Sequence, residues 1–295
     1  MNTPSSSQRP WHAASVAAGI PAELPSPKHS SIAALVHERC AHFAQQRPKH
    51  KAFTCVMPNG MNGSLTYGQV DALSDAFAAY LRSVLGLQAG DRVAVQMPNS
   101  LGYPVAAFGV FKAGCVLVNT NPLYTASEMV HQFNDAGVKA LVIIDMFADK
   151  LPEVLAKTQV QHVVLTSIAE FFPMVPRGII RAVQKVWSRV LPPVTVPHTR
   201  LKTALALGRD TLAQTPAATL WQRIGPDALA VLQYTGGTTG VSKGAMLTNG
   251  NLLNNVQQML AMGGTFMKED EECVLTALPL YHIFAFTANL LGFLT

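Results

Sequence analysis

A chain of 295 residues that is 49% apolar and 13% charged can bury a sizeable core and is excluded from the disordered class. Its 22 lysines and arginines against 17 acids give a net charge of +5, but the excess is local. Six basic residues and no acid lie between positions 171 and 202, and the rest of the chain balances at 16 basic to 17 acidic, which argues against a nucleic-acid partner.

In chain order, residues 1–30 are rich in Ser, Pro and Ala and are expected to be loosely ordered. They lack the basic start, apolar stretch and cleavage site of a signal peptide. Ile32, Leu35, Val36 and Phe43 give 31–46 a helical spacing. After a turn at 58–63, Thr66 and Gln69 form a capping box for a helix carrying Leu73, Phe77, Tyr80, Leu81 and Val84, ended by Gly86 and Gly90. A strand at 93–97 stops at Pro98, a helix covers 101–112, and a strand at 115–118 follows Gly114. A second capping box, Thr125 with Glu128, opens a helix that ends at Gly137; strands at 140–144 and 163–166 come next, with a helix between them. This alternation predicts an α/β fold with a mainly parallel sheet covered on both faces.

Arg177, Arg181, Lys185 and Arg189 recur every four residues among Ile179, Ile180, Val183, Val186, Trp187, Val190 and Leu191. They predict a basic amphipathic helix over 177–191, stopped by Pro192-Pro193. Such a helix fits either contact with an anionic membrane surface or docking on its own domain. Residues 31–222 are thus expected to form a first subdomain. Residues 223–295 open a second, with a strand at 229–234, a loop at 235–243, an extended segment at 245–247, a helix at 251–261 closed by Gly263-Gly264, a strand at 274–277 and an apolar run to the end.

Neither apolar stretch predicts a membrane span. Residues 101–118 are interrupted by Gly102, Pro104, Gly109, Lys112 and Gly114, and 283–294 falls short of the ~20 residues required. Cys40, Cys55, Cys115 and Cys273 are far apart, without a C-x-x-C pair, and are expected to be reduced thiols of a cytoplasmic protein. His37, Cys40 and His42 cluster in the sequence, but His37 and His42 do not share a helix face, so no zinc site is expected there.

The chemically informative stretch is Tyr234-Thr-Gly-Gly-Thr-Thr-Gly-Val-Ser-Lys-Gly244. Glycines Gly236, Gly237 and Gly240 let backbone N–H groups converge on an anion. Thr235, Thr238 and Thr239 add hydroxyl donors, and Lys243 adds a point charge for a polyphosphate. The spacing is not that of a Walker A loop, because Lys243 precedes Gly244 and an extended segment instead of a helix.

This loop, from Leu232 to Lys243, resembles the AMP-binding signature of the adenylate-forming superfamily. The stretch Thr276-Ala-Leu-Pro-Leu-Tyr-His-Ile-Phe284 resembles that family's second core motif. Gly90-Asp-Arg-Val-Ala-Val-Gln-Met-Pro-Asn99, Lys112-Ala-Gly114 and Val118-Asn-Thr-Asn-Pro-Leu-Tyr124 are similar to bacterial long-chain fatty-acid–CoA ligases. The resemblance runs from about residue 11 to the end. It implies the N-terminal large-domain portion of a synthetase, with ATP, Mg²⁺ and CoA as cofactors and a fatty acid as substrate. The carboxylate attacks the α-phosphate to give an acyl-adenylate, and the CoA thiol then displaces AMP. Lys243, Thr238 and His282 would take part in catalysis. Tyr234, Thr235, Gly236, Gly237, Thr238, Thr239, Gly240, Lys243 and Gly244 would hold the nucleotide, Thr235 would approach the Mg²⁺, and Tyr281 and His282 would border the acyl-adenylate. A core role remains open for His282, as it does for the run 283–294, which could instead line an acyl tunnel.

The family's Tyr-Gly-x-Thr-Glu motif, ribose aspartate, hinge arginine and late lysine have no counterpart in this sequence. The chain therefore reads as a truncated first half. Acting alone, it is expected to lack ligase activity. The alternatives are a non-catalytic nucleotide- or acyl-binding fragment and an unrelated phosphotransferase.

Overall fold

The structure, a computed structural model, describes residues 10–21, 23–235, 242–263, 267–268 and 270–294. A short helix α1 (His12–Ala17) stands within the stretch expected to be loosely ordered. Helix α2 (Ile32–Gln46) begins at Ser31, whose hydroxyl accepts from the Ala34 amide. Strands β1 (Lys51–Val56) and β2 (Asn62–Thr66) form an antiparallel ribbon. Thr66 and Gln69 form the expected reciprocal cap on α3 (Tyr67–Ala79), which runs on as a π-helical turn, Tyr80–Val84, to Gly86 at φ 71°.

The doubly covered sheet then assembles. β3 (Arg92–Gln96), α4 (Gly102–Lys112), β4 (Val116–Asn119), α5 (Ala126–Ala136) and β5 (Val138–Ile144) match the expected series. The Thr125–Glu128 box caps α5, and Gly137 ends it at φ 63°, a left-handed conformation that glycine adopts without strain. A 3₁₀ turn (Asp145–Lys150), α6 (Leu151–Lys157) and β6 (His162–Thr166) follow. After them come α7 (Met174–Ala182), β7 (Thr199–Arg200), α8 (Leu201–Leu212), α9 (Ala218–Trp221), β8 (Leu229–Thr235), β9 (Lys243–Thr248), α10 (Asn249–Gly263) and α11 (Ile283–Ala285).

Seven strands form one sheet in the order β7-β6-β5-β3-β4-β8-β9. All neighbours are parallel except β8 and β9. β8 pairs with β4, so the sheet runs across the boundary expected at residue 222. Alternate strand residues separate two cores. Val93, Val95, Leu117, Val142 and Val231 face α2, α3, α4 and α8, whereas Ala94, Val118, Leu141, Ile143 and Leu232 face α5 and α6. α8 meets α3 at Gly208, where a Cβ would run into the Ala76 carbonyl. The run 283–294 sends Phe286, Leu290, Leu291 and Leu294 into the first core, with Phe286 edge-on to Phe111 at 6.0 Å. The face it packs there is core.

Two expectations require correction. Residues 274–277 form no strand: Leu275 is exposed, and the Thr276 carbonyl accepts from the Asn99 side chain in place of a ladder partner. The basic helix starts at Met174, passes into a π-helical turn at Val183–Trp187 and ends before Arg189, which has φ 50°. Its stop thus comes before Pro192. No helix of the described residues is long and apolar enough to cross a membrane, and all four cysteines are free thiols.

Candidate phosphate-binding site

In an open α/β sheet, ligands gather outside the carboxyl ends of strands where the strand order reverses. Here β3 has β4 on one side and β5 on the other, and β8 ends beside β4. Thr235 is the last residue of β8 and Lys243 the first of β9; they pair in register, and both are exposed. Gly236, Gly237, Thr238, Thr239 and Gly240 lie outside the described residues. The two stems of the candidate loop are therefore placed at that carboxyl end.

Helix α5 grips both stems. The buried Tyr234 donates its phenolic hydrogen to Asp135 at 2.5 Å. Burial, and then the Asp135 carboxylate that accepts this proton, push the Tyr234 phenol well above its ordinary range. Across the hairpin, a Cβ at Gly244 would come within 2.9 Å of the Tyr234 ring, so β9 can lie against the phenol only with glycine there. Nε2 of His131 lies 3.3 Å from the Ser242 carbonyl, an arrangement that requires the Nε2–H tautomer or the imidazolium. Neither His131 nor Asp135 was signalled by any motif; both come from a helix read only for its cap.

A second polar network docks the stretch 276–281 against the same strand end. Asn119 donates to Gln233 Oε1 at 3.1 Å, and Gln233 Nε2 donates to the Tyr281 carbonyl at 3.2 Å. The fully buried Tyr103 hydroxyl lies 2.6 Å from Asn119 Oδ1 and 2.9 Å from the Leu280 carbonyl. Desolvation raises its pKa far above the usual phenol value, so it stays a neutral hydrogen-bond donor. Asn99 completes the clamp. Its amide nitrogen donates to the Thr276 and Leu278 carbonyls at 3.0 and 2.9 Å, and its oxygen accepts from the Leu280 amide at 2.8 Å. This network holds 276–280 in place outside any sheet. It also sets the Tyr281 backbone against Gln233, two residues before the end of β8.

His282 is exposed and caps α11, its Nδ1 accepting from the Phe284 amide at 3.4 Å. The core reading is thereby excluded. Tyr281 is half-buried. Thr235, Lys243, Tyr281 and His282 thus share one rim, while the remaining loop residues named from the sequence are outside the described set.

Elsewhere among the described residues, one cluster has the makings of a metal site. His37, Asp71 and Asp75 bring their ligand atoms within 4.8 Å of one another. The fully buried Lys112 ammonium already sits among them, 2.6 Å from Asp71 Oδ1 and 2.7 Å from Asp75 Oδ1. That cluster carries its own cation, and His42 faces Asp270 instead. At the candidate site, Thr235 offers one neutral hydroxyl. Such a donor fits an Mg²⁺ that arrives on a nucleotide, already held by phosphate oxygens and water.

The family model for the AMP-binding enzyme matches residues 40–295. The long-chain-fatty-acid–CoA ligase of Escherichia coli O6:H1 is 42% identical over 278 residues, covering 94% of this chain and 47% of the relative. The ligase of the same description from Bacillus subtilis (strain 168) is 33% identical over 285 residues, covering 96% and 47%. The chain thus spans about half the length of the curated relatives it matches. A crystal structure of a long-chain-fatty-acid–CoA ligase from Archaeoglobus fulgidus superposes with a TM-score of 0.62 at 21% identity, covering 92% of this chain and 47% of that one, a likeness of fold. With a matching family model over most of its length and the stems of the signature loop at the carboxyl edge of the sheet, the chain belongs to the AMP-binding enzyme family.

Proposed function

We propose that this chain is the nucleotide-holding portion of an ATP-dependent ligase that activates a long-chain fatty acid. In that reaction the fatty-acid carboxylate attacks the α-phosphorus of Mg·ATP, the bond from that phosphorus to the bridging oxygen breaks, and pyrophosphate leaves. The CoA thiol, losing its proton, then attacks the acyl carbon, and AMP departs as the thioester forms. The observation that carries the reading is the stem pair Thr235 and Lys243 at the carboxyl end of β8, gripped by α5 and adjoining Tyr281. Lys243 and the loop threonines, Thr238 among them, neutralise and orient the β- and γ-phosphates, leaving the α-phosphorus open to in-line attack. Thr235 touches the magnesium carried by the nucleotide. His282, exposed and next to Tyr281, would border the acyl-adenylate.

On its own this chain is expected to hold Mg·ATP without turning it over, since catalysis needs groups that act in the transition state. The reading also includes a cytoplasmic location and peripheral contact with anionic membrane, since a long acyl substrate partitions into lipid. Titration calorimetry of the 295-residue chain with Mg·ATP tests the core of it. Lys243→Ala removes charge-assisted hydrogen bonds worth ~1.5–3 kcal/mol, so affinity should fall by at least roughly tenfold. Unchanged affinity would remove Lys243 from the site, and ADP formation from ATP would point to a phosphotransferase.

A further inference from the structure

Helix α7 and its π-helical extension lie on the molecule in the opposite sense to the one the basic stripe suggests. Arg181 turns inward, its Nη1 3.6 Å from Asp145 Oδ2, where Arg200 from β7 also reaches at 3.7 Å. Glu170 joins the same cluster, facing Arg177, Arg181 and Arg200. Ile180 and Gln184 are the buried residues of this face. Half of the four-residue stripe is therefore drawn towards the protein's own carboxylates. The opposite face, which carries Val175, Ile179, Val183, Val186 and Trp187 at helical spacing, is open: Val175 and Val186 are each 72% exposed and Trp187 is 88% exposed. Helices of soluble domains normally bury such a stripe.

The flanking charge identifies what this face meets. Lys185 and Arg189 are exposed beside it, and no acid occurs between residues 171 and 202. An open aliphatic face with a tryptophan, bordered only by cations, is complementary to an anionic phospholipid surface, with the rings and branched side chains among the acyl chains and the cations at the headgroups. We infer that α7 is a lipid-inserting helix, docked in the plane of an anionic bilayer by Val175, Ile179, Val183, Val186 and Trp187, with Lys185 and Arg189 as its headgroup contacts. This rests on the proposed membrane contact but assigns it to insertion of the apolar face instead of electrostatic adsorption of the arginine stripe.

The test is cosedimentation of the 295-residue chain with vesicles of phosphatidylethanolamine and phosphatidylglycerol, with phosphatidylcholine vesicles as the neutral reference. Insertion predicts preferential binding to the anionic vesicles that persists in raised salt, with a blue shift of the tryptophan emission that Trp187→Phe removes. Trp187→Ser should lower partitioning by about tenfold, and Val183→Glu with Val186→Glu should abolish it. Because these side chains are exposed, the variants should keep the wild-type unfolding midpoint. Three outcomes overturn the inference. Vesicle binding lost on Arg177→Glu and Arg181→Glu or in salt, yet unmoved by Trp187→Ser, would refute insertion while leaving membrane contact intact. Absence of binding to either vesicle would refute both. Self-association lost in the Val183 and Val186 variants, without vesicle binding, would assign the face to a second copy of the chain.

Discussion

Replacing Tyr234 by phenylalanine isolates the grip of α5 on the candidate phosphate loop. The substitution keeps the ring that Gly244 packs against and deletes only the hydroxyl that donates to Asp135. A hydrogen bond to a carboxylate contributes ~1.5–3 kcal/mol where both partners are buried. Asp135 is exposed and regains water, so the expected loss is about 1 kcal/mol. Asp135→Ala should cost more than this, because the buried Tyr234 hydroxyl then lacks its acceptor. The two changes should be strongly non-additive in a double-mutant cycle. If α5 presets the stems, the same ~1 kcal/mol moves from folding into binding, and Mg·ATP affinity should fall roughly fivefold. Urea unfolding and titration calorimetry on the same preparations read both quantities. Affinity that stays constant while stability drops would refute the positioning role, and an unchanged unfolding midpoint would refute the hydrogen bond itself.

Lys112→Met should destabilise the fold by ~3–5 kcal/mol, because Asp71 and Asp75 lose their buried counter-ion. Adding Asp71→Asn and Asp75→Asn should recover most of that loss in urea unfolding, and a triple variant as unstable as the single one would show that packing, not charge, is at stake. Glu128 is held below the usual glutamate range by hydrogen bonds from the Thr125 amide and hydroxyl. A depressed carboxylate stabilises the fold above its unfolded pKa and loses that contribution as pH falls through the folded one. Glu128→Gln should therefore flatten the acid side of the stability profile, and Thr125→Ala should cost about 1 kcal/mol at neutral pH; an unaltered profile would exclude the cap as its source.

Both capping boxes and the buried strands were legible because their causes are local: a hydroxyl three residues from a Glu or Gln, or a short unbroken apolar run before a glycine or proline. Where the sequence misled, a distant residue decided. Residues 274–277 have the apolar character of a strand, but Asn99, 177 positions away, captures the Thr276 carbonyl. The stripe at 177–189 is basic in the order of the chain, yet Asp145, at the end of β5, selects which side of the helix turns inward. The candidate loop announced itself by its glycines and threonines. Of its supports, Asn119 lies in a recognised motif, but Asp135, His131 and Tyr103 carry no pattern, since a hydrogen bond between separate elements leaves no spacing in the sequence.

The pairing of β8 with β4 has a consequence for how the molecule comes together in time. β8 and β9 are neighbours along the chain and can zip as a hairpin within microseconds. Their seat on the sheet instead requires Asn119 to meet Gln233, 114 residues away, after the chain has travelled to the far edge to lay down β5, β6 and β7. Closing so long a loop is slow because the entropy is lost before the contacts are gained. The β4 edge therefore stays open until β8 arrives, and the stems of the candidate loop acquire their place only then. During synthesis the β4 edge, open until β8 emerges, is the part of this sheet most in need of protection.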